Sequence, residues 1–360
     1  MRRLFLLLRW LIWTGVKLGL VVFVLFIAWA WFGNAYQEVP AAPCAARPPI
    51  GIAGIEEKTP GYRRPESATY LAFPEQFLAH NAHEYAQALA AGPPSRYPYF
   101  RAIGQYWRGY YRVFKITQSK YGFKTGDHRL PILIGLGFTA ENAVKGIYEN
   151  TIGRLTERFS DGGRSAEDQY AARKAAEYAT SLRTSPSYEF SYGRALGDLW
   201  RTPARGAYQA RKIERRTILT IEYNLKALYA WMLGIAAPAD PPPQIHALAL
   251  VSRSPEVISL PRDELFTAAL SVLVGKGVTI YEIAGNDEIF LTALGPASAL
   301  NGPEGGPLKP ANTWRVEFVE PLLTEPSVVR IGLTVPPSCL GRLLADLQSS
   351  GATLERAYAF

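Results

Sequence analysis

The sequence predicts three parts in chain order, namely an N-terminal transmembrane helix, a mainly α-helical middle domain and a C-terminal α+β domain of ferredoxin-like type. Three observations predict this architecture. A long uncharged run lies near the N-terminus, helical patterns separated by loop sequences fill the middle, and strand and helix patterns alternate in the last third. With 360 residues, 48% of them apolar, the chain can bury a core in each of two domains.

The N-terminal run contains no charged residue from 18 to 32, and its apolar character extends upstream to Trp10. This length is sufficient to span a bilayer, which takes about 20 residues. Three arginines precede the run, whereas the first arginine after it is Arg47. The positive-inside rule therefore keeps the N-terminus in the cytoplasm and exports the rest of the chain. A cleaved signal peptide ending at Ala35 is the alternative.

Two stretches without a helical or strand period separate the predicted parts. Residues 37–69 are rich in proline and charge and predict a tether, and "APADPPPQ" marks a linker before the C-terminal domain. We therefore divide the chain into a cytoplasmic tip with the anchor, a tether, a helical membrane-proximal domain, a linker and an α+β domain, at residues 1–36, 37–69, 70–236, 237–247 and 248–360.

Two segments of the middle domain repeat one pattern of charge. Glu141, Lys145 and Tyr148 occupy the same register in "FTAENAVKGIYENTIG" as Glu222, Lys226 and Tyr229 occupy in "LTIEYNLKALYAWMLG". On a helix each set forms one stripe, with glutamate and lysine in the favourable order. If the two helices pack together, these side chains form a buried polar network or a candidate ligand site, because buried charges require mutual compensation. The alternative is two ion pairs at a solvated edge.

The second of these segments, residues 218–237, also has about the length of a membrane span. Glu222, Asn224 and Lys226 make it a poor one, and the basic residues before it would lie on the exported side, against the positive-inside rule. We expect a helix that is buried or lies against the membrane.

A basic amphipathic helix is predicted over residues 101–115, because apolar residues recur at helical spacing and basic residues fall on the opposite side. One interpretation is a helix on an anionic membrane surface. The other is a helix that packs its aromatic residues into the core. The candidate membrane contacts are Arg101, Trp107, Arg108, Arg112 and Lys115.

The C-terminal domain contains two related halves. "ISLPRDELFTAALSVLVGKGVTIYEIAG" and "LTVPPSCLGRLLADLQSSGATLERAYAF" both predict strand, helix and strand, and Pro261 and Gly277 of the first match Pro336 and Gly351 of the second. Two further strands are predicted between the halves. Two β-α-β units predict a ferredoxin-like fold, which often serves as an interaction module.

Sequence signatures of catalysis are largely missing. Among the four histidines only His80 and His83 lie close together, and a surface helix explains their spacing better than a metal site. No phosphate-binding glycine loop, dinucleotide fingerprint or nucleophile elbow is present. We therefore expect no catalytic residue, metal or cofactor. Cys44 and Cys339 allow at most one internal disulfide, and nothing in their spacing favours it.

The strings "YLAFPEQFL", "SRYPYFRAIGQYW", "GIYENTIGRLTE" and, more weakly, "LERAYAF" resemble a family of bacterial membrane-anchored proteins. The resemblance implies a bacterial envelope protein and no particular reaction or ligand. The net charge of +8 favours an anionic partner, and an exported location excludes nucleic acid. We expect a single-pass inner-membrane protein, mostly periplasmic, whose partners are membrane lipid and an envelope protein. Its expected role is a non-enzymatic scaffold or assembly factor. The alternative is an enzyme or binding protein for a lipid-linked ligand held between the helices of the middle domain.

Overall fold

A helical region and a C-terminal antiparallel two-sheet α+β region make up the structure, as the sequence predicts at this level. The computed structural model describes Lys17 and residues 41–46, 52–63, 70–158, 165–183, 185–201, 209–236, 244–252, 254–262, 265–299 and 313–358. The predicted transmembrane segment at residues 18–32 lies outside the described residues. Among the helices that are described, none combines the length and the apolar character needed to cross a membrane.

The described part of the first region contains eight α-helices. Their bounds are α1 Ile52–Lys58, α2 Phe73–Ala91, α3 Tyr99–Tyr121, α4 Thr125–Tyr148, α5 Arg154–Arg158, α6 Ala166–Ser181, α7 Tyr192–Arg201 and α8 Gln209–Ala236. Local chemistry fixes several ends. A capping box between Ser165 and Asp168 begins α6, and Gly122, which has a φ of +73°, ends α3. A π-helical turn at Glu149–Gly153 joins α4 to α5.

The helical region is built from two copies of one three-helix unit. The first repeat comprises α2, the 3-10 turn Pro94–Arg96, α3 and α4, and the second comprises α6, the 3-10 turn Ser187–Glu189, α7 and α8. "YFRAIGQYW" of the first repeat matches "YGRALGDLW" of the second, 93 residues later. The two copies pack α2 against α6 and α4 against α8. The charge pattern shared by the last helix of each repeat, at Glu141 and Glu222, is the part of this duplication that the sequence predicts.

The matching residues of the two repeats make matching contacts. The hydroxyl of Tyr99 donates to the carbonyl of Pro94 at 3.1 Å, and the hydroxyl of Tyr192 donates to the carbonyl of Ser187 at 3.1 Å. Likewise, the indole N–H of Trp107 donates to Thr139 at 2.8 Å, as that of Trp200 does to Thr220 at 3.0 Å. The two copies therefore share one internal packing, and because each contacts the other through the same helices, α2 with α6 and α4 with α8, an approximate two-fold axis relates them.

The C-terminal region also contains two equivalent halves. Its elements are β1 Gln244–Val251, β2 Ser254–Pro261, α9 Leu265–Gly275, β3 Thr279–Ile283, β4 Ile289–Pro296, β5 Arg315–Pro321, β6 Val328–Val335, α10 Leu340–Ser349 and β7 Thr353–Tyr358. One sheet has the order β2-β1-β3 and the other β5-β6-β4-β7. In each half, therefore, an antiparallel strand separates the two strands that a helix connects.

Strand register confirms the predicted repeat within this region. The β1–β3 pairing shifts between Leu248 and Ala249, and the β4–β7 pairing shifts at the equivalent place, between Thr292 and Ala293. The two glycines matched in sequence both follow the helix of their half. Gly277 and Gly351 have φ values of +77° and +74°, a conformation that favours glycine.

The sheet arrangement differs from a ferredoxin-like fold in one respect. That fold interleaves its two β-α-β units in a single sheet, whereas here the strands lie in two sheets. The physical reason is that three strands, β1, β4 and β5, are additional to the two units. β1 pairs between β2 and β3, and β4 pairs between β6 and β7, so that each half supplies its own central strand.

The described residues from Ala41 to Tyr358 form one compact unit, in which α2 and α3 cover a face of the β5-β6-β4-β7 sheet. Phe73 of α2 packs against Phe290 and Phe318 of that sheet, with ring centroids 5.8 and 5.0 Å apart. Charged pairs surround this contact. Arg330 of β6 lies 3.1 Å from Glu84 of α2 and 2.8 Å from Glu355 of β7.

A disulfide fastens the chain before α1 to the C-terminal region. Cys44 and Cys339 are bonded, with Cα atoms 5.1 Å apart and a sequence separation of 295. Nearby, the backbone N–H of Ala41 donates to Glu288 at 2.9 Å. The spacing of the cysteines had not favoured this pairing, because a contact between the two ends of the unit leaves no local signal in the sequence.

Candidate functional site

Four charged side chains meet where α4 packs against α8. Nζ of Lys145 lies 3.0 Å from Oε1 of Glu222 and 3.4 Å from Oε1 of Glu141, and Nζ of Lys226 lies 3.0 and 3.2 Å from the same two oxygens. Each lysine therefore contacts one glutamate on its own helix and one on the other repeat. We refer to these four residues as the charge cluster. It lies on the approximate two-fold axis.

Helix geometry explains why these residues meet. Within each helix the glutamate precedes the lysine by one turn, so that both project from one face. Because Glu141 pairs across with Lys226, and Lys145 with Glu222, the two helices must run antiparallel. Parallel helices would place like charges together. In the antiparallel arrangement, the same order of glutamate and lysine in both helices places each glutamate opposite a lysine.

A cavity of about 50 Å³ borders the charge cluster. Helices α2 and α6 close it from the side opposite α4 and α8. Its wall combines the four charges and Lys174, which pairs with Glu177 at 2.6 Å, with tyrosines and apolar residues of both repeats, including Tyr85, Phe138, Tyr178, Tyr192, Leu219 and Tyr229. The volume suits a few water molecules or one small polar group.

Aromatic rings lie next to both ammonium groups. Nζ of Lys145 lies 3.9 Å from the ring centroid of Tyr85, and Nζ of Lys226 lies 4.7 Å from that of Tyr178. Tyr85 and Tyr178 are equivalent in the two repeats. Cation–π attraction and the carboxylates thus act on the same two lysines, which offsets the desolvation of their charge.

The pKa shifts in the cluster favour its charged forms. Burial alone would raise the pKa of Glu222, but Lys145 and Lys226 outweigh that effect and hold it well below its usual range. Burial alone would lower the pKa of Lys226, but Glu141 and Glu222 raise it well above its usual value. Burial also raises the pKa of Tyr85.

The two predicted tyrosines lie in different surroundings. Tyr229 lines the cavity, its hydroxyl donates to the carbonyl of Ile134 at 3.2 Å, and its ring lies against Gly137. Tyr148 is not among the residues that line the cavity. Its buried hydroxyl has no hydrogen-bond partner in the part of the chain that the structure describes. The stripes therefore meet at their charges but not at both phenols.

The five candidate membrane contacts of α3 do not lie together on one exposed patch. Arg108 and Arg112 lie 3.3 and 3.0 Å from Glu320 and Glu317 of β5, and Lys115 is buried. The indole of Trp107 donates to Thr139. Arg101 is exposed. These contacts agree with the interpretation in which α3 packs into the core.

Sequence reasoning missed most of the surroundings of the charge cluster. Tyr85, Tyr178 and Tyr192 line the cavity, and the spacing of 93 residues between the repeats would have pointed to the first two together. A second buried network was also missed. Arg215 lies 2.9 Å from Asp168 and 2.5 Å from Glu149, which is the first residue of the π-helical turn. No sequence motif predicts this network.

The arrangement has defined chemical limits. Each charge of the cluster has two partners of opposite sign, so the cluster is neutral as a whole and offers no uncompensated charge to a ligand. Within the residues that the structure describes, no group of three or more His, Cys, Asp or Glu side chains is placed to hold a metal ion.

Compared with known proteins, the chain matches no family model, no curated protein and no solved structure.

Proposed function

We propose that this protein is a membrane-anchored, non-enzymatic scaffold or assembly factor of the bacterial cell envelope. In this proposal residues 18–32 form a single transmembrane helix in the inner membrane, and the chain after it lies in the periplasm. The disulfide between Cys44 and Cys339 carries the proposal. Disulfides persist in the periplasm and are rare in the cytosol. The first cysteine of this one, Cys44, lies shortly after the apolar run.

The firm attachment of the two regions to each other supports a scaffold role. Arg330 binds Glu84 and Glu355, Arg112 binds Glu317, and the disulfide ties the tether to the same unit. A scaffold has to hold its binding surfaces in a fixed geometry. The split β-α-β units add support, because ferredoxin-like interaction modules contain them too.

The neutrality of the charge cluster supports a structural role for the most polar part of the helical region. Two lysines and two glutamates satisfy one another across the repeat axis. A site for a charged substrate would be expected to leave at least one charge available to it.

Two measurements test the proposal. Reporter fusions after Ala45, Asp240 and Phe360 should all be active on the periplasmic side, and a fusion before the anchor should be active only in the cytoplasm. Cross-linking followed by affinity capture of the tagged full chain should recover a stoichiometric envelope protein, with cells that carry the untagged chain as the control. Cytoplasmic reporters would refute the location, and the absence of a stoichiometric partner would refute the scaffold role.

The alternative function, a binding protein or enzyme for a lipid-linked ligand, draws support from the cavity beside the charge cluster. Under this alternative the isosteric variants Glu141→Gln and Glu222→Gln lose function while the fold is unchanged. If both variants instead unfold at lower temperature than the natural chain, the cluster is structural and the alternative fails.

A further inference from the structure

On helices α4 and α8 the charges of the cluster point inward, and large apolar residues occupy the exposed side as well as the core, unlike an ordinary surface helix, whose exposed side is polar. Between Arg129 and Arg154, the charged residues are Glu141, Lys145 and Glu149. In α8, the last charged residues are Glu222 and Lys226. All of them take part in the networks described above. The exposed side of both helices is therefore uncharged over most of its length.

Large apolar side chains occupy that exposed side. We call the outer face the exposed residues Leu136, Val144 and Ile147 of α4 and Ile221, Leu228, Trp231 and Ile235 of α8. Trp231 and Ile235 are 64% and 63% exposed, which is more than half of each large side chain. Contiguous apolar surface of this kind marks a contact with a partner or a membrane.

The symmetry between the repeats breaks on this face and opens a cleft. In the first repeat the ring of Phe100 lies against Gly146. The equivalent positions in the second repeat are Gly193 and Ala227, and a cleft of about 480 Å³ lies there, walled by Phe190, Trp231 and Ile235 among others. None of the residues that line it carries a charge.

We propose that the outer face lies in the acyl-chain region of one bilayer leaflet, with the cleft receiving a lipid chain. Charge complementarity favours lipid over a protein partner. Exposed basic residues stand at both ends of the α4 stripe, Lys124 and Arg129 before it and Arg154 and Arg158 after it. Basic residues that flank an apolar stripe bind the phosphates of lipid headgroups.

The tether also favours the bilayer. The N–H of Ala41 and the ammonium of Lys120, which precedes the turn into α4, both bind Glu288. Eight residues, 33–40, separate Ala41 from the predicted span, a length of at most about 30 Å. The chain is thus fastened near the beginning of the α4 stripe. This step rests on the proposed membrane anchor.

The test uses the full chain in vesicles of phosphatidylcholine and phosphatidylglycerol. Both natural cysteines are in the disulfide, so a single introduced cysteine can carry an environment-sensitive fluorophore. Leu228→Cys and Ile147→Cys place the label at equivalent positions of the outer face, and Ala176→Cys places it on the exposed side of α6 as a control. Lipids with a nitroxide in the acyl chain then act as quenchers.

We expect the labels at positions 228 and 147 to be quenched at least about threefold more than the label at 176, because they lie in the apolar layer. Equal quenching at all three positions refutes the inference. Labels at 228 and 147 that are shielded from water but not quenched show that protein, including a second copy, covers the face, and this also refutes it. Flotation of the vesicles distinguishes the two proposals. A chain that floats with unquenched labels leaves the anchor intact, whereas a chain that does not float refutes both.

Discussion

Neutralisation of Glu222 tests whether the charge cluster holds the helical region together. In Glu222→Gln, the two lysines share one carboxylate, Glu141, and one positive charge is left without compensation in a buried site. Removal of one partner from a buried ion pair costs about 3–5 kcal/mol. Glu141→Gln should cost less, because the side chain of Glu141 is 19% exposed and that of Glu222 only 7%.

Urea unfolding followed by circular dichroism measures this loss. The matched control is Glu177→Gln, which removes the same charge from an exposed pair with Lys174 and should change the free energy of unfolding by less than about 1 kcal/mol. In the double variant Glu222→Gln/Lys226→Met the cluster is neutral again, so it should lose less than the two single variants together. A Glu222→Gln variant as stable as the control would show that the cluster is solvated and would refute the reasoning.

The remaining predictions concern other contacts. Burial lowers the pKa of His80 to about 3. Below about pH 6.5 the unfolded chain therefore binds a proton that the folded chain does not, and the free energy of unfolding should fall by up to about 1.4 kcal/mol per pH unit until pH 3. His80→Gln should weaken this dependence in urea titrations at pH 7 and pH 5, and a variant with an unchanged dependence would contradict the prediction. Cys44→Ser should cost about 2–5 kcal/mol, read from melting curves with and without reductant, and a reductant effect that persists in the variant would contradict this. Gly137→Ala should cost about 1–3 kcal/mol, because its Cβ would lie 2.3 Å from the ring of Tyr229. Gly234→Ala has open space and should stabilise the protein by up to about 1 kcal/mol, and equal effects in the two variants would contradict the packing.

Periodicity predicted the parts of the fold that depend on local sequence. The helical and α+β regions, the order of β2 to β7 along the chain and the equivalent glycines Gly277 and Gly351 all follow from patterns within about thirty residues. Pairing between distant segments did not follow. The disulfide from Cys44 to Cys339 and the separation of the strands into two sheets depend on contacts across the whole unit, for which one sequence contains no direct signal.

The candidate site was predicted in part for the same reason. Glu141, Lys145, Glu222 and Lys226 could be found because each pair repeats within one helix. Their aromatic neighbours lie on other helices, and only comparison of the two repeats over their whole length relates them. The signal was weak, since α7 has 10 residues where α3 has 23, and this difference changes the spacing between the repeats from 93 to 81.

Comparison of the two repeats separates positions that the fold requires from those that depend on surroundings. Tyr85 and its counterpart Tyr178, which line the cavity, are both tyrosines. In the charge cluster, the two glutamates are counterparts of each other, and so are the two lysines. At the outer face, by contrast, Phe100 of the first repeat corresponds to Gly193 of the second, and the cleft opens there.

Equivalent positions at the axis, where the two repeats pack against each other, thus have the same residue type. A ligand that bound one side of the cavity would have no reason to require the same residues on both sides. Reciprocal packing does require them, because each lysine depends on the glutamate of the other repeat. This symmetry favours a structural role for the charge cluster and leaves the outer face, where the repeats differ, as the surface on which function is to be sought.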